Sequence, residues 1–360
     1  METQERRYDI DWIRVIAIGL LLIYHIAISF QPWGGLIQFI QTDKVLEVLW
    51  VPMAMLNVWR IPLLFFVSGM GVCFAIRRRD WKGLIKERTL RILVPFVFGI
   101  FAIVPLHIFL WQNYYGQTLN FTYNPFHLWF LGNIFIYVVV LSPLFFWLKR
   151  SNGKPWTEGL KWLFSTPIGL LIVMLAFIAE AELIAPDSFE TYAMNLHGFV
   201  LGLMAFLVGF LFVFVGNGFW QMLKKYVWVF LILAFSLYLI RLLVFDLVVP
   251  YYLISIESNL WVFSVFGLGY MFLNKKSAQL SYLSQAAYPV YILHMIFLNL
   301  SASIVFGWEI TGWLQFALVV VFTFLGCFIT YELIKSVNFL RPLFGLKLKE
   351  KLPVHRVAQI

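Results

Sequence analysis

The feature that most constrains this chain is a series of ten apolar stretches, each long enough to cross the hydrocarbon core of a bilayer as a helix. Inside a bilayer every backbone polar group must find its partner within the protein, so apolar stretches of this length form helices. The sequence therefore predicts an all-α fold, a polytopic transmembrane bundle of about ten helices. The predicted spans cover approximately residues 12–31, 53–76, 92–111, 126–148, 166–184, 194–216, 226–244, 252–273, 283–306 and 311–334.

The composition also indicates a lipid environment. Hydrophobic residues make up 62% of the chain and charged residues 12%, whereas a soluble domain carries about 25% charged residues. The two cysteines lie in apolar runs without metal-type spacing, so we predict neither a disulfide framework nor a metal site. The first apolar run begins near Trp12 and lacks a small-residue cleavage site, so we expect it to remain as the first span.

The distribution of positive charge predicts which side each loop faces. A formal net charge of +9 raises the alternative of nucleic-acid binding, which would require a gathered basic patch. Instead, all but three of the 27 Lys and Arg residues lie in or beside alternate loops and near the two ends of the chain. The positive-inside rule then places both termini in the cytoplasm. Residues 1–340 form one membrane domain on this interpretation, and residues 341–360 form a basic cytoplasmic tail.

The first span presents a cation and an imidazole on one face. Arg14 and His25 are eleven residues apart, which returns to within about 20° of the same side of a helix and separates them by roughly 16 Å. Ionisable residues at membrane depth usually face a bundle interior or a cavity. The alternative is that Arg14 anchors the helix at the inner interface and that His25 is a hydrogen-bonded core residue. Their alignment favours a functional pair.

Histidine is the usual general base near neutral pH, so the positions of the imidazoles indicate where a reactive site could lie. The predicted topology places all but one of them in the outer half of the membrane or near its middle, namely His25, His107, His127, His197 and His294.

Two acidic residues and one arginine in the spans are harder to assign. Glu180 and Glu182 are two residues apart and point to different sides of a helix, so they cannot form one carboxylate pair. Either is a candidate, by depth alone, to orient His25. Arg241 lies near the outer end of its span, where we expect it to reach the interface or to pair with Asp246.

Seven basic residues flank the second and third spans on the predicted inner side. Topogenic charge alone would explain them, and a second role in gripping the phosphates of an anionic cytoplasmic ligand is compatible with it. These residues are Arg77, Arg78, Arg79, Lys82, Lys86, Arg88 and Arg91.

Four stretches of the chain resemble motifs of the acyltransferase-3 family of membrane acyltransferases. They follow the family's order over residues 6 to about 346, and four motifs in order on ten helices are specific. The matching stretches are Arg14 and His25 for the Arg-x10-His motif, Pro62–Gly69 for the PLFFxxSG segment, His127–Leu131 for the HLWFL stretch and Tyr288–His294 for the late tyrosine-rich run.

Within that family, Tyr8–Arg14 and Leu340–Lys347 resemble the glucan biosynthesis protein C branch, which is associated with succinylating periplasmic glucans. The resemblance implies a multi-pass protein of the bacterial cytoplasmic (inner) membrane. It also implies transfer of an acetyl- or succinyl-type acyl group from cytoplasmic acyl-CoA to a hydroxyl of a carbohydrate or glucan acceptor at the outer side. Acyl-CoA is then a co-substrate, and neither a tightly bound cofactor nor a nucleic-acid partner is expected. The oligomeric state is left open.

The resemblance also implies roles for individual residues. His25 is expected to act as the general base and Arg14 to lie on the donor side, while His294 and Ser68 are further catalytic candidates. The donor for the developing oxyanion is open among Ser68, Tyr291 and His294. Candidates for binding acyl-CoA are Arg14, Arg77, Arg78, Arg88 and Arg91, and candidates for binding the acceptor are Arg60, His127 and Trp129.

The competing class is a transporter or flippase for an acyl group or a small anionic substrate, because buried Arg, Glu and His also line ion paths. The sequence shows no inverted repeat or paired helices broken by Gly and Pro, which are typical of many transporters. A purely structural subunit would leave the aligned Arg14 and His25 unexplained.

Overall fold

The structure, a computed structural model, describes residues 6–349 and contains within them ten helices long and apolar enough to cross a bilayer. The all-α prediction is confirmed, since these residues form helices, turns and loops and no strand. The long helices are α1 (Tyr8–Ile28), α2 (Trp50–Ile76), α3 (Trp81–Tyr114), α4 (Trp129–Ser151), α5 (Pro167–Ile184), α6 (Leu196–Phe214), α7 (Asn217–Leu243), α8 (Tyr251–Phe272), α9 (Ala278–Val305) and α10 (Gly312–Ser336).

Each predicted span coincides with one helix, but two helices begin well before the predicted residue. The segment α3 starts at Trp81 and α7 starts at Asn217, whereas the apolar runs begin near residues 92 and 226. Lys or Arg residues lie between each helix start and the apolar run, at Lys82, Lys86, Arg88 and Arg91 in α3 and at Lys224 and Lys225 in α7, so hydropathy alone excludes these first residues. At α3 the side chain of Asp80 accepts a hydrogen bond from the backbone N–H of Gly83 and caps the helix, which fixes its earlier start.

The segment α3 is widened twice along its length. Its residues Thr89–Leu93 and Gly99–Ile103 form π-helical turns. Each turn contains the residue four positions before a proline, Pro95 or Pro105. Proline has no backbone N–H to donate and its ring clashes with the carbonyl four residues back, so the helix opens locally at both places.

Successive long helices run in opposite directions, which gives the bundle two distinct ends. At one end the backbone N–H of Tyr8 donates to Oδ1 of Asn274, joining the start of α1 to the residues that follow α8. At the other end the hydroxyl of Tyr238 donates to the carbonyl oxygen of Val51, joining α7 to the start of α2. The end that holds Tyr8 carries most of the Lys and Arg residues and is called the basic end below. Its cytoplasmic location remains a prediction.

The helix α2 occupies the centre of the bundle and packs closely against α6. A Cβ added at Gly69 would lie 1.9 Å from the carbonyl oxygen of Phe206, and one added at Gly209 would lie 2.0 Å from that of Phe66. Only glycine permits these reciprocal backbone approaches, which are typical of close helix pairs in membranes. The contact fixes the depth of α2, and with it the positions of Arg60 and Ser68.

Arg241 forms a buried ion pair, and the prediction that it reaches the interface or pairs with Asp246 is wrong. Its guanidinium donates to both carboxylate oxygens of Glu257 on α8, at 2.6 and 3.0 Å, and to the carbonyl oxygen of Ala54 on α2. Asp246 is exposed beyond the end of α7. The nearest acid in sequence is therefore not the partner, because the guanidinium points into the bundle, toward Glu257 and toward Glu190, which lies 3.7 Å from Nη1.

Glu180 likewise has a partner other than the one considered from sequence. Its Oε1 lies 2.9 Å from Nδ1 of His197, so it ties α5 to α6 and does not orient His25. The second nitrogen of His197, Nε2, donates to the carbonyl oxygen of Phe189 at 3.0 Å. Glu182 accepts from the backbone N–H of Tyr252. Both carboxylates therefore serve the packing of α5 and are not available to His25.

The chain that follows α10 turns back onto the basic end. A short helix covers Leu340–Leu343, and the buried ring of Phe344 packs against Phe98 with centroids 5.5 Å apart. Nε of Arg91 lies 3.5 Å from the carbonyl oxygen of Gly345. The first residues of the predicted basic tail thus contact the bundle, and residues 350–360 of that tail lie outside the described residues.

Candidate active site

Two histidines from distant parts of the chain meet inside the bundle. Nδ1 of His25 on α1 lies 2.8 Å from Nε2 of His294 on α9, and the two rings are stacked with an interplanar angle of 7°. His294 is fully buried, whereas His25 is partly exposed. The two residues that sequence analysis singled out as base and further catalytic candidate are therefore directly hydrogen-bonded.

The hydrogen bonds of this pair fix which nitrogen of His25 is free. Nδ1 of His294 lies 2.6 Å from the carbonyl oxygen of Tyr291, which can only accept, so this nitrogen carries the proton. In a neutral imidazole the other nitrogen is then an acceptor, and it must receive the Nδ1–H of His25. Nε2 of His25 keeps an unprotonated lone pair and has no hydrogen-bond partner among residues 6–349. It has the form required of a general base.

Two further histidines extend the pair into a row of four imidazoles. The ring of His127, just before α4, lies 5.0 Å from that of His294, and the ring of His107 on α3 lies 5.5 Å from that of His127. Nε2 of His127 donates to the carbonyl oxygen of Ile292 at 3.2 Å, so its Nδ1 is an acceptor without a partner in the described part of the chain. In the same described part neither nitrogen of the buried His107 has a partner.

Of this row, His294 lies near the middle of α9, and His25 lies toward the end of α1 that is away from the basic end. His197 does not join the row, because its partners are Glu180 and Phe189. Within residues 6–349 no group of three or more His, Cys, Asp or Glu is arranged to hold a metal ion.

A cavity of about 640 Å³ leads from the basic end toward this row. Helices α1, α2, α4 and α9, the segment α3 and the chain after α10 form its walls. Its wall at the basic end carries six cationic side chains and one carboxylate, that of Asp11, so the cavity has a strong positive excess suited to an anionic group. The cations are Arg6, Arg14, Arg88, Arg91, Arg341 and Lys347.

The deep end of the cavity adjoins the imidazoles. Ser68 and Tyr291 line it, and the ring of Tyr291 lies 5.9 Å from that of His294 and 6.0 Å from that of His127. Along α1 the lining residues Asp11, Arg14 and Ile18 follow helical spacing, and the same face continues to His25. A ligand held by cations at the basic end can therefore extend toward the row.

The guanidinium groups of the cavity are held in place by neighbours. Arg88 and Arg91 lie 3.2 and 3.1 Å from the carboxylate of Glu87, and Arg14 lies 3.5 Å from that of Asp11. One carboxylate shared between two arginines leaves net positive charge. Arg88 and Arg91 can thus still bind a phosphate, whose oxygens accept hydrogen bonds from their N–H groups.

The structure separates the residues predicted to bind the donor. Arg14, Arg88 and Arg91 line the cavity, whereas Arg77 and Arg78 are exposed on the basic end and do not. The guanidinium of Arg77 lies over the ring of Phe74, 5.2 Å from its centroid.

The residues predicted to act on or bind the acceptor are also divided. Ser68 lines the cavity but its hydroxyl donates to the carbonyl oxygen of Leu64 at 2.7 Å. His127 belongs to the imidazole row. Trp129 packs against Phe65, with ring centroids 6.0 Å apart. Arg60 is buried with its guanidinium over the ring of Tyr24, the residue before His25, and it is not among the residues that line the cavity.

A comparison with known families agrees with this geometry. The model of the acyltransferase-3 family, described as an acyltransferase domain, matches residues 7–332. The chain belongs to the acyltransferase-3 family. No curated protein and no solved structure matches it. As a member of this family with ten membrane-length helices, the chain is a multi-pass membrane acyltransferase.

Some of the acyltransferase's site residues carried no recognisable sequence signal. Arg341 and Lys347 fell in the predicted tail, and their place in the cavity wall follows from the way the chain turns back after α10. The contact of His25 with His294 spans 269 residues, and only the fold brings the two together. Tyr288, on the cavity wall, could have been found from its place in the motif that ends at His294.

Proposed function

We propose that this chain is an O-acyltransferase that takes an acyl group from acyl-CoA at the basic end and transfers it to a carbohydrate hydroxyl near the imidazole row. The observation that carries the proposal is the cavity that begins among six cationic side chains and ends at Tyr291, beside His294 and His127. A cavity of this size lies within the usual range for small-molecule sites, about 300–1,000 Å³.

Coenzyme A fits the charge and the length of this passage. Its phosphates match the arginines of the basic end, which bind such groups through paired N–H donors. The pantetheine arm is on the order of the 16 Å that separates Arg14 from His25 along α1. A thioester at the end of that arm reaches the region of His25.

The proton path follows from the tautomers of the histidine pair. Nε2 of His25 removes the proton of the acceptor hydroxyl as its oxygen bonds to the thioester carbon, and the carbonyl electron pair moves to oxygen. When this tetrahedral intermediate collapses, the carbon–sulfur bond breaks and the thiolate takes the proton from His25. His294 accepts the Nδ1–H of His25 throughout and keeps Nε2 directed at the reaction. General-base catalysis of this kind contributes about 10²–10⁴-fold.

The finer identity of the substrates rests on the resemblance to the glucan biosynthesis protein C branch. We propose a succinyl- or acetyl-type donor and a glucan or related carbohydrate acceptor. The bacterial cytoplasmic membrane is the proposed location, with the basic end in the cytoplasm because that end carries the excess of Lys and Arg.

The test is an acyl-transfer assay in proteoliposomes. Purified protein receives acetyl-CoA or succinyl-CoA, with and without a glucan, while release of free thiol and mass of the glucan are measured. We expect thiol release that depends on the glucan, together with a matching increase in glucan mass. Movement of a radiolabelled acyl group across the membrane without an acylated product would contradict the proposal and favour a transporter or flippase.

A further inference from the structure

Arg60 on α2 is a buried cation whose charge has no counterpart nearby. Its side chain is 2% exposed, and neither Nε nor Nη1 has a hydrogen-bond partner among the described residues. No carboxylate within residues 6–349 forms an ion pair with it. Its guanidinium lies over the ring of Tyr24, 3.8 Å from the centroid. Burying a guanidinium without a paired anion is costly, so an anionic ligand group is the expected complement.

A second buried arginine shows what a structural arginine looks like in the same bundle. Arg241 is 1% exposed, as buried as Arg60, yet it donates to both oxygens of Glu257 and to a backbone carbonyl. The chain therefore supplies a carboxylate where the arginine serves packing. It supplies none to Arg60.

Arg60 lies next to the histidine pair. The ring of Tyr24, on which its guanidinium rests, is 5.9 Å from the ring of His25. The ring of His25 is in turn stacked on that of His294, with centroids 5.1 Å apart. The free N–H donors are thus near the place where the proposed reaction generates negative charge.

The other candidate donors to an oxyanion are already engaged. The hydroxyl of Ser68 donates to the carbonyl oxygen of Leu64, that of Tyr291 donates to the carbonyl oxygen of His127, and Nδ1 of His294 donates to Tyr291. Each would have to break a bond to a backbone acceptor before it could serve. Arg60 would break none at Nε or Nη1.

We propose that Arg60 donates the hydrogen bonds that stabilise the oxyanion of the tetrahedral intermediate, an inference that rests on the acyl transfer proposed above. The acceptor oxygen bonds to the thioester carbon, the carbonyl electron pair moves to oxygen beside Nε and Nη1, and it returns as the carbon–sulfur bond breaks. Preorganised donors in a site shielded from water contribute most to such charge development.

The experiment compares Arg60→Gln and Arg60→Lys with the wild type in the thiol-release assay, using acetyl-CoA and succinyl-CoA. Arg150→Gln is the matched control, because this exposed arginine at the end of α4 is outside the cavity wall. We expect Arg60→Gln to lower kcat about 10²–10³-fold with both donors, while the KM for each substrate changes little. Arg60→Ala should regain part of its kcat when guanidinium ion is added.

Three results would overturn this role. An unchanged kcat in Arg60→Gln would remove Arg60 from the reaction. A loss limited to succinyl-CoA or to acidic acceptors, and expressed in KM, would mean that Arg60 recognises a substrate carboxylate. Loss of activity in proportion to unfolded protein in all Arg60 variants, without rescue by guanidinium, would make the residue structural. Absence of thiol release in the wild type would contradict the proposed function itself, so the two failures are distinguishable.

Discussion

The bundle contains two regions of buried polar side chains that differ in how their hydrogen bonds are completed. Between α5, α6, α7 and α8, His197 has partners at both nitrogens and Arg241 has a bidentate carboxylate. Around α1, α2, α3 and α9, His25 keeps a free nitrogen and Arg60 has unpartnered N–H groups. In the first region, called the closed region below, the arginine has a carboxylate partner and the histidine has two hydrogen-bond partners. In the second, called the open region, the arginine has no carboxylate and His25 has one free nitrogen.

The difference in pairing indicates which buried polar groups serve packing and which are available to a substrate. A polar group at bilayer depth is costly unless it is paired, so the ion pair of Arg241 with Glu257 is sufficiently explained by packing. A free imidazole nitrogen and an arginine without a carboxylate have no such explanation, and we infer that they serve a substrate. The open region adjoins the cavity lined by Arg14, Arg88 and Arg91, and the closed region does not.

The strongest test of the open region is His25→Ala. Because His25 supplies the only lone pair that we assign to the base, kcat should fall by about 10²–10⁴-fold. Calorimetric binding of CoA and the thermal midpoint should stay close to those of the wild type, since the cations of the cavity are untouched. Wild-type turnover in this variant would show that His25 is not the general base, although its Nε2 has no hydrogen-bond partner among the described residues.

Substitutions in the closed region should lower the stability of the protein and leave its kcat unchanged. Glu257→Ala leaves the guanidinium of Arg241 buried without its bidentate partner and with only the longer contact to Glu190, a change that costs up to about 3–5 kcal/mol. We expect a clear fall in the thermal midpoint and unchanged kcat per folded molecule. The double variant Arg241→Met with Glu257→Leu should recover much of the loss, because it removes both charges together.

The comparison is sharpened by His294, which belongs to the open region but has both nitrogens engaged. We expect His294→Ala to lower kcat about 10–100-fold, because Nδ1 of His25 loses the acceptor that fixes its tautomer. His294→Gln should restore part of the activity, since its amide oxygen can accept the same hydrogen. The pH dependence of kcat/KM should shift in His294→Ala. If glutamine and alanine behave alike, His294 has no orienting role.

The smallest effect is expected at the basic end. Arg88→Gln with Arg91→Gln should raise the KM for acyl-CoA by about tenfold, the loss of one charge-assisted hydrogen bond, with kcat at saturation nearly unchanged. The increase should shrink at high salt, where phosphate binding is already weakened. Arg150→Gln serves as the control. An equal rise of KM in that control would mean that Arg88 and Arg91 act only as general surface charge and do not bind the donor.

The helices could be predicted from sequence because each is defined by its own residues. Hydropathy located every span, and it missed the starts only where Lys or Arg residues interrupt the apolar pattern early in a helix, in those that begin at Trp81 and Asn217. Partners could not be predicted, because a buried side chain pairs across helices. Arg241 has Glu257 and not the nearby Asp246, and Glu180 has His197 and not His25.

The candidate site was predicted in its residue types and not in its connections. The spacing of Arg14 and His25 on α1 indicated a cationic side and an imidazole side. Arg14 lines the cavity, and His25 is bonded to His294, whose ring lies 5.9 Å from that of Tyr291 on the cavity wall. The hydrogen bond to His294 depends on how α1 packs against α9, and the open state of Arg60 depends on what α2 faces. Neither property can be predicted from the pattern of residues along a single helix.

The return of the chain after α10 has a practical consequence for anyone who handles this protein. Residues 341–347 contribute part of the cavity wall, including Arg341 and Lys347, although they follow the last long helix. Truncation after Ser336 would leave the residues of all ten long helices in place while removing one side of the cavity proposed to bind the donor. A shortened version could insert into membranes normally and still be an impaired enzyme, so its expression level would be a misleading guide to its integrity.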